Sequence, residues 1–80
     1  MNLLGAEVSL YPLKTSNASS IITEAINSLH GQNLTFTVGS ISTEIRGEPE
    51  AIWNGLKTMF NKAQQSGEVS MVVTLTNAAD

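Results

Sequence analysis

Chemistry-bearing residues concentrate in the run Ser42-Thr43-Glu44-Ile45-Arg46, which holds two hydroxyls, a carboxylate and a guanidinium within five positions. Successive side chains of a strand point to opposite faces, so Ser42, Glu44 and Arg46 are expected on one face and Thr43 on the other. Left exposed, the Glu44 and Arg46 pair is worth little. Covered by a partner, Glu44 becomes the strand-borne carboxylate able to meet a cationic or amine-bearing ligand. The hydroxyls of Ser9, Ser42 and Thr74 are each donor and acceptor, which suits the polar edge of a heteroaromatic ring. Two aromatic residues extend the set. Tyr11 leads into Pro12, where its ring packs by the sheet and its hydroxyl reaches outward, expected beside the Arg46-Gly47 end of the later strand. Trp53 lies about 100° round its helix from Ile52, and so is either a residue at the rim of the core or an aromatic wall for a planar ligand.

Other chemistry finds little support in the 80 residues. There is no cysteine, hence no disulfide framework, cysteine nucleophile or cysteine-based metal site. The sole histidine, His30, stands at a helix end and complements the dipole there. Glu48 and Glu50 flank Pro49 in the first turn of a second helix, where the same dipole accounts for them. No Gly-rich phosphate cradle and no metal-ligand spacing occurs, so neither catalysis nor a cofactor is expected. A formal net charge of −3 repels a phosphate backbone and argues against nucleic acid. No apolar run approaches the ~20 residues that span a bilayer, and the N-terminus lacks the basic region of a signal peptide, so the expectation is a cytoplasmic protein without membrane insertion.

The elements that position these residues follow from apolar spacing. Val8, Leu10 and Leu13 suit a first strand that ends near Pro12. Ser16, Asn17 and Ser19 are candidate caps for a helix whose stripe is Ile21, Ile22, Ala25, Ile26 and Leu29, closed by His30-Gly31. Leu34, Phe36 and Val38 alternate with threonines, and Ile41, Thr43 and Ile45 alternate with polar residues, forming a hairpin about Gly39-Ser40. A second helix runs from Pro49 to Gly67 with Ile52, Leu56, Met59, Phe60 and Ala63 on one face. Val69 to Thr76 is the last strand. The order strand, helix, strand, strand, helix, strand predicts one α+β domain over residues 1–80, a ferredoxin-like βαββαβ sandwich with both helices on one face of an antiparallel sheet. Right-handed crossovers place the first and third strands in the middle and the fourth beside the first.

The far face of that sheet is rich in hydroxyls: Ser9, Tyr11, Thr35, Thr37, Ser42, Ser70, Thr74 and Thr76 alternate out with Glu44, Arg46 and Val72. It is either a solvated face or a sheet-on-sheet subunit contact. A chain of this length buries only roughly 60–65% of its unfolded surface, so association is the expected source of further stability.

The run Ser9-Leu10-Tyr11-Pro12 at the end of a first strand, with Ser42-Thr43 and Arg46-Gly47 in the third, resembles the repeat of the YkoF-type thiamin and hydroxymethylpyrimidine-binding proteins. Met59-Phe60, Ala63, Gly67 and the Val-rich last strand keep the same spacing, so the resemblance covers about residues 7–77. It implies a ferredoxin-like fold and non-catalytic binding of thiamin or its pyrimidine precursor, connected with uptake or salvage. YkoF is a tandem of two such repeats and this chain holds one, which implies self-association as a dimer or tetramer. An aminopyrimidine wants an apolar or aromatic slot with a few fixed polar partners. A helix-side pocket would use Thr43 with Trp53; a pocket at a subunit interface would use Ser9, Ser42 and Glu44, with Tyr11 and Thr74 as further candidates. The alternative is an oligomeric regulatory or interaction module of the same fold that binds no thiamin.

Overall fold

The computed structural model describes residues 2–79. Its elements are β1 (Leu4–Pro12), α1 (Ala18–Asn27), β2 (Leu34–Val38), β3 (Thr43–Gly47), α2 (Pro49–Gln64) and β4 (Val69–Thr76). The strands form one antiparallel sheet in the order β2-β3-β1-β4, so the two crossovers place β1 and β3 in the centre as expected for the ferredoxin-like arrangement. Among the described residues no helix is long and apolar enough to cross a membrane.

One face of the sheet packs against both helices. Ala6 and Val8 of β1, Ile45 of β3, Ile26 of α1, Leu29 beyond it, and Ile52, Leu56 and Met59 of α2 make the main core. Ile21, Ala25 and Ala63 join the helices to Leu10 and Val69. Gly55 belongs to the buried face of α2 although it offers no side chain. A Cβ there would lie 2.7 Å from Leu34 Cδ2, so the missing methyl lets the helix seat closely on β2.

The ends of the elements follow local chemistry. Pro49 opens α2 at its first turn, where a missing N–H costs nothing. Asn17 is the residue before α1, but its side chain makes no capping hydrogen bond, and Ile21 N–H instead donates to its carbonyl at 3.1 Å. Gly31 has φ of +86°, the left-handed turn expected after α1. His30 packs edge-on to Phe36, with ring centroids 5.3 Å apart.

Two strand starts differ from the sequence expectation. β1 starts at Leu4, because Leu4, Ala6, Val8 and Leu10 continue one inward alternation past the point where Gly5 and Glu7 hide it. β3 starts at Thr43 and not Ile41, since Gly39 N–H donates to Ser42 C=O at 2.8 Å and commits residues 39–42 to the turn. Ile41 is consequently 85% exposed. β1 ends at Pro12 as expected, and Leu13 beyond it is exposed.

Candidate ligand-binding site

Thr43 is the one buried polar residue among the described ones, only 4% exposed on the helix side of β3. Its neighbours in the same layer are apolar, yet the β pleat sends this position inward with Ile45. No hydrogen bond of its hydroxyl to another side chain or to backbone exists among the described residues. Nor is any buried side-chain oxygen or nitrogen sealed off without a partner. The Thr43 hydroxyl therefore faces open space. That space is a cleft of about 110 Å³ between the sheet, α1 and α2. Val8, Leu10, Ile22, Ile26 and Met59 wall it, and the 39–42 turn with Ser40, Ile41 and Ser42 forms its rim. The arrangement is an apolar slot with one fixed hydroxyl inside and two more at the rim, which is what a small planar group with a polar edge requires.

The open face of the sheet carries a second, larger depression of about 460 Å³. Strand register builds its floor in two rows. Thr37, Glu44, Glu7 and Thr74 lie side by side across the four strands, and Thr35, Arg46, Gly5 and Thr76 make the next row. Glu7 and Glu44 are direct cross-strand neighbours, a placement that brings two carboxylates to roughly 5 Å between Cβ atoms. At one end the chain turns back after β4, held by Ala78 N–H donating to Thr76 Oγ1 at 3.0 Å. Ala79 then lies buried against Gly5, where a Cβ on the glycine would come within 3.2 Å of Ala79 Cβ.

The seven sequence-derived candidates divide between these places. Thr43 and Ser42 both line the helix-side cleft, with Ser42 in the turn that precedes β3 and not in the strand itself. Glu44 and Thr74 line the open depression. Ser9 lies on the same open face, opposite Val72, but outside that depression. Tyr11 pairs with Ser70, at the opposite end of β1 from the Leu4–Gly47 pair, because β1 and β3 are antiparallel. It is therefore far along the strand from Arg46-Gly47, contrary to expectation. Trp53 is 55% exposed and lines neither the Thr43 cleft nor the open depression. Sequence reasoning missed Glu7, Gly5 and the 78–79 segment. The alternation of Leu4, Ala6 and Val8 was the signal that could have placed Glu7 beside Glu44.

Fold and site together define a ferredoxin-like α+β chain with a hydroxyl that opens into an apolar-walled cleft beneath its helices and an open, polar sheet face. The chain belongs to the YkoF-related family, whose model matches residues 3–79. No curated protein sequence matches it significantly. Among solved structures it is similar to the MJ1052 protein of Methanocaldococcus jannascii, at 22% identity and a TM-score of 0.87, covering 100% of this chain and 84% of that one. It is also similar to protein SP2199 of Streptococcus pneumoniae, at 24% identity and a TM-score of 0.84 over 95% of this chain and 86% of that one. A third similar structure is TM0486 of Thermotoga maritima, provisionally assigned to thiamine biosynthesis or salvage. It shares 18% identity at a TM-score of 0.83, over 96% of this chain and 85% of that one. At these identities the structures support the shared fold.

Proposed function

We propose that the protein is a non-catalytic binder of thiamin or hydroxymethylpyrimidine, taking the aminopyrimidine ring into the Thr43 cleft. The observation that carries this reading is the Thr43 hydroxyl, which makes no hydrogen bond within the protein and opens into an apolar-walled cleft. In such a slot a ring nitrogen or exocyclic amine can take the place of water as the partner of that hydroxyl. A volume of about 110 Å³ suits one ring, below the several hundred Å³ of pockets that enclose larger ligands. The remainder of thiamin would pass out beside Ile41. Membership of the YkoF-related family and the assignment given to TM0486 support the ligand class. The reading includes self-association and a cytoplasmic role in thiamin precursor uptake or salvage.

The exposed charged groups at the centre of the open face favour a second reading, an interaction or regulatory module with no thiamin binding. Calorimetric titration with each ligand separates the two. Saturable binding that Thr43→Val weakens by about tenfold to a hundredfold, the range of one lost hydrogen bond to a buried group, supports the cleft. Glu44→Gln leaves affinity unchanged on this reading, because Glu44 faces the other side of the sheet. Absence of saturable binding up to millimolar ligand would sink it, and so would an unchanged affinity in Thr43→Val.

A further inference from the structure

We infer that the turn of residues 39–42 is a lid for the Thr43 cleft, with Ile41 as the side chain that closes it and so selects a lone pyrimidine ring over a ring that carries a bulky substituent. The inference rests on the ligand reading above and deepens it by naming the residue that discriminates between ligands.

Ile41 is an apolar side chain left 85% exposed at the rim of an apolar-walled cleft. A single exposed isoleucine is ordinary in itself. This one borders a hollow of about 110 Å³ whose walls are Val8, Leu10, Ile22, Ile26 and Met59, surfaces that it would match if it turned inward.

The sheet supplies the track for that movement. β1 is longer than its neighbour: its last pair with β3 is Val8 with Thr43, and from Ser9 to Pro12 it pairs with β4 alone. Along those residues the β3 side of β1 has no strand against it. Continuing the same register puts Ser9 opposite Ser42 and Leu10 opposite Ile41. The hairpin allows this, since Gly39 N–H already donates to Ser42 C=O at 2.8 Å and leaves Ser40 and Ile41 as the loop. Strand alternation then fixes the direction. Thr43 and Ile45 face the helices, so Ile41 in register with them faces the same way, beside Leu10 and across the mouth of the cleft.

The hollow itself holds the lid open. Over an empty cleft Ile41 has few atoms to touch, and docking the turn costs the conformational freedom of its residues. A ring on Thr43 fills the hollow and presents a flat apolar surface, so the ligand favours the closed form by the contacts that it makes only there. A group attached to the ring must leave past the same rim, and it keeps Ile41 away. Hydroxymethylpyrimidine, whose substituents are small, permits closure. Thiamin, with a second ring on the methylene, prevents it.

The test compares wild type, Ile41→Ser and Ile41→Val by calorimetric titration with hydroxymethylpyrimidine and with thiamin, and by hydrogen exchange of the backbone amides of residues 40–42. Hydroxymethylpyrimidine is expected to slow that exchange in the wild type about tenfold, and thiamin to leave it nearly unchanged. Ile41→Ser should weaken hydroxymethylpyrimidine about tenfold or more, the worth of burying one isoleucine, and thiamin by less than about threefold. Ile41→Val should restore most of the loss. The ligand-free thermal midpoint of Ile41→Ser should equal that of the wild type, because the side chain already stands in solvent when the lid is open. Equal losses for the two ligands overturn the proposal, since Ile41 is then a plain rim contact. A lower midpoint for Ile41→Ser overturns it too, because the residue then serves the fold. Titration of the wild type keeps the two readings apart. Binding of hydroxymethylpyrimidine without protection of the turn sinks the lid alone, whereas no saturable binding of either compound sinks the ligand reading and the lid with it.

Discussion

The two faces of the central strands present opposite problems. Toward the helices, β1 and β3 turn Ala6, Val8, Thr43 and Ile45, all buried. Away from them the same strands turn Glu7, Glu44 and Arg46, all exposed. A period of two residues separates these sets, so one backbone serves both. The closed face is apolar except for a single hydroxyl with no partner. The open face is polar except for charges with no partner. On the closed face that hydroxyl opens into the cleft proposed for a small polar-edged ring, and on the open face the charges stand in solvent.

That contrast can be broken most forcefully on the closed face. Ile45 is 1% exposed at the centre of the core. Ile45→Ala is expected to lower unfolding free energy by about 2–5 kcal/mol, the cost of a cavity that helices cannot collapse into. Thr37→Ala, on the open face of the adjacent strand, should stay within about 0.5 kcal/mol. Urea unfolding under dilute conditions measures both; equal losses would erase the distinction between a packed and an unpacked face. Gly55→Leu attacks the same face from the helix side by forcing atoms onto Leu34, and is expected to cost about 1–3 kcal/mol in the same assay.

The comparison also shows what the sequence made legible. Apolar spacing was enough for the order of elements, the sheet order and the inward face of α2, because Ile52, Leu56, Met59 and Ala63 are large enough to announce a period. Gly55 stayed hidden in that stripe, since closeness to Leu34 leaves no trace in hydropathy. Thr43 was correctly sent inward by alternation. Ser42 was not placed, because whether a residue continues a strand or closes a turn depended on the Gly39 to Ser42 hydrogen bond and not on its side chain. Tyr11 was misplaced along the sheet for a different reason: strand direction, which residue types do not encode, decides which ends meet. Glu7 was lost with the first four residues of β1, and with it the carboxylate pair.

Thr43→Val sharpens the comparison, because its two readouts should move in opposite directions. Valine keeps the shape of threonine and replaces a hydroxyl that makes no hydrogen bond within the protein by a methyl that suits the apolar walls. Unfolding free energy without ligand is expected to rise by about 1 kcal/mol, while affinity for the pyrimidine falls. A residue that weakens the fold and strengthens binding is the signature of a site maintained at the expense of stability. If Thr43→Val destabilises the ligand-free protein, the hydroxyl is serving the fold, and the cleft loses its claim.

The smallest effect belongs to the open face and carries a sign test. In a dissociated chain Glu7 and Glu44 repel each other across the sheet, so Glu7→Gln is expected to stabilise the monomer by a few tenths of a kcal/mol at low salt. Added salt should diminish that gain, as exposed charges are screened over roughly 10 Å at ordinary ionic strength. Thermal unfolding of Glu7→Gln and the wild type at low and at high salt measures both the gain and its screening. A gain that salt leaves unchanged, or no gain at all, would mean that the two carboxylates do not repel each other across the strands.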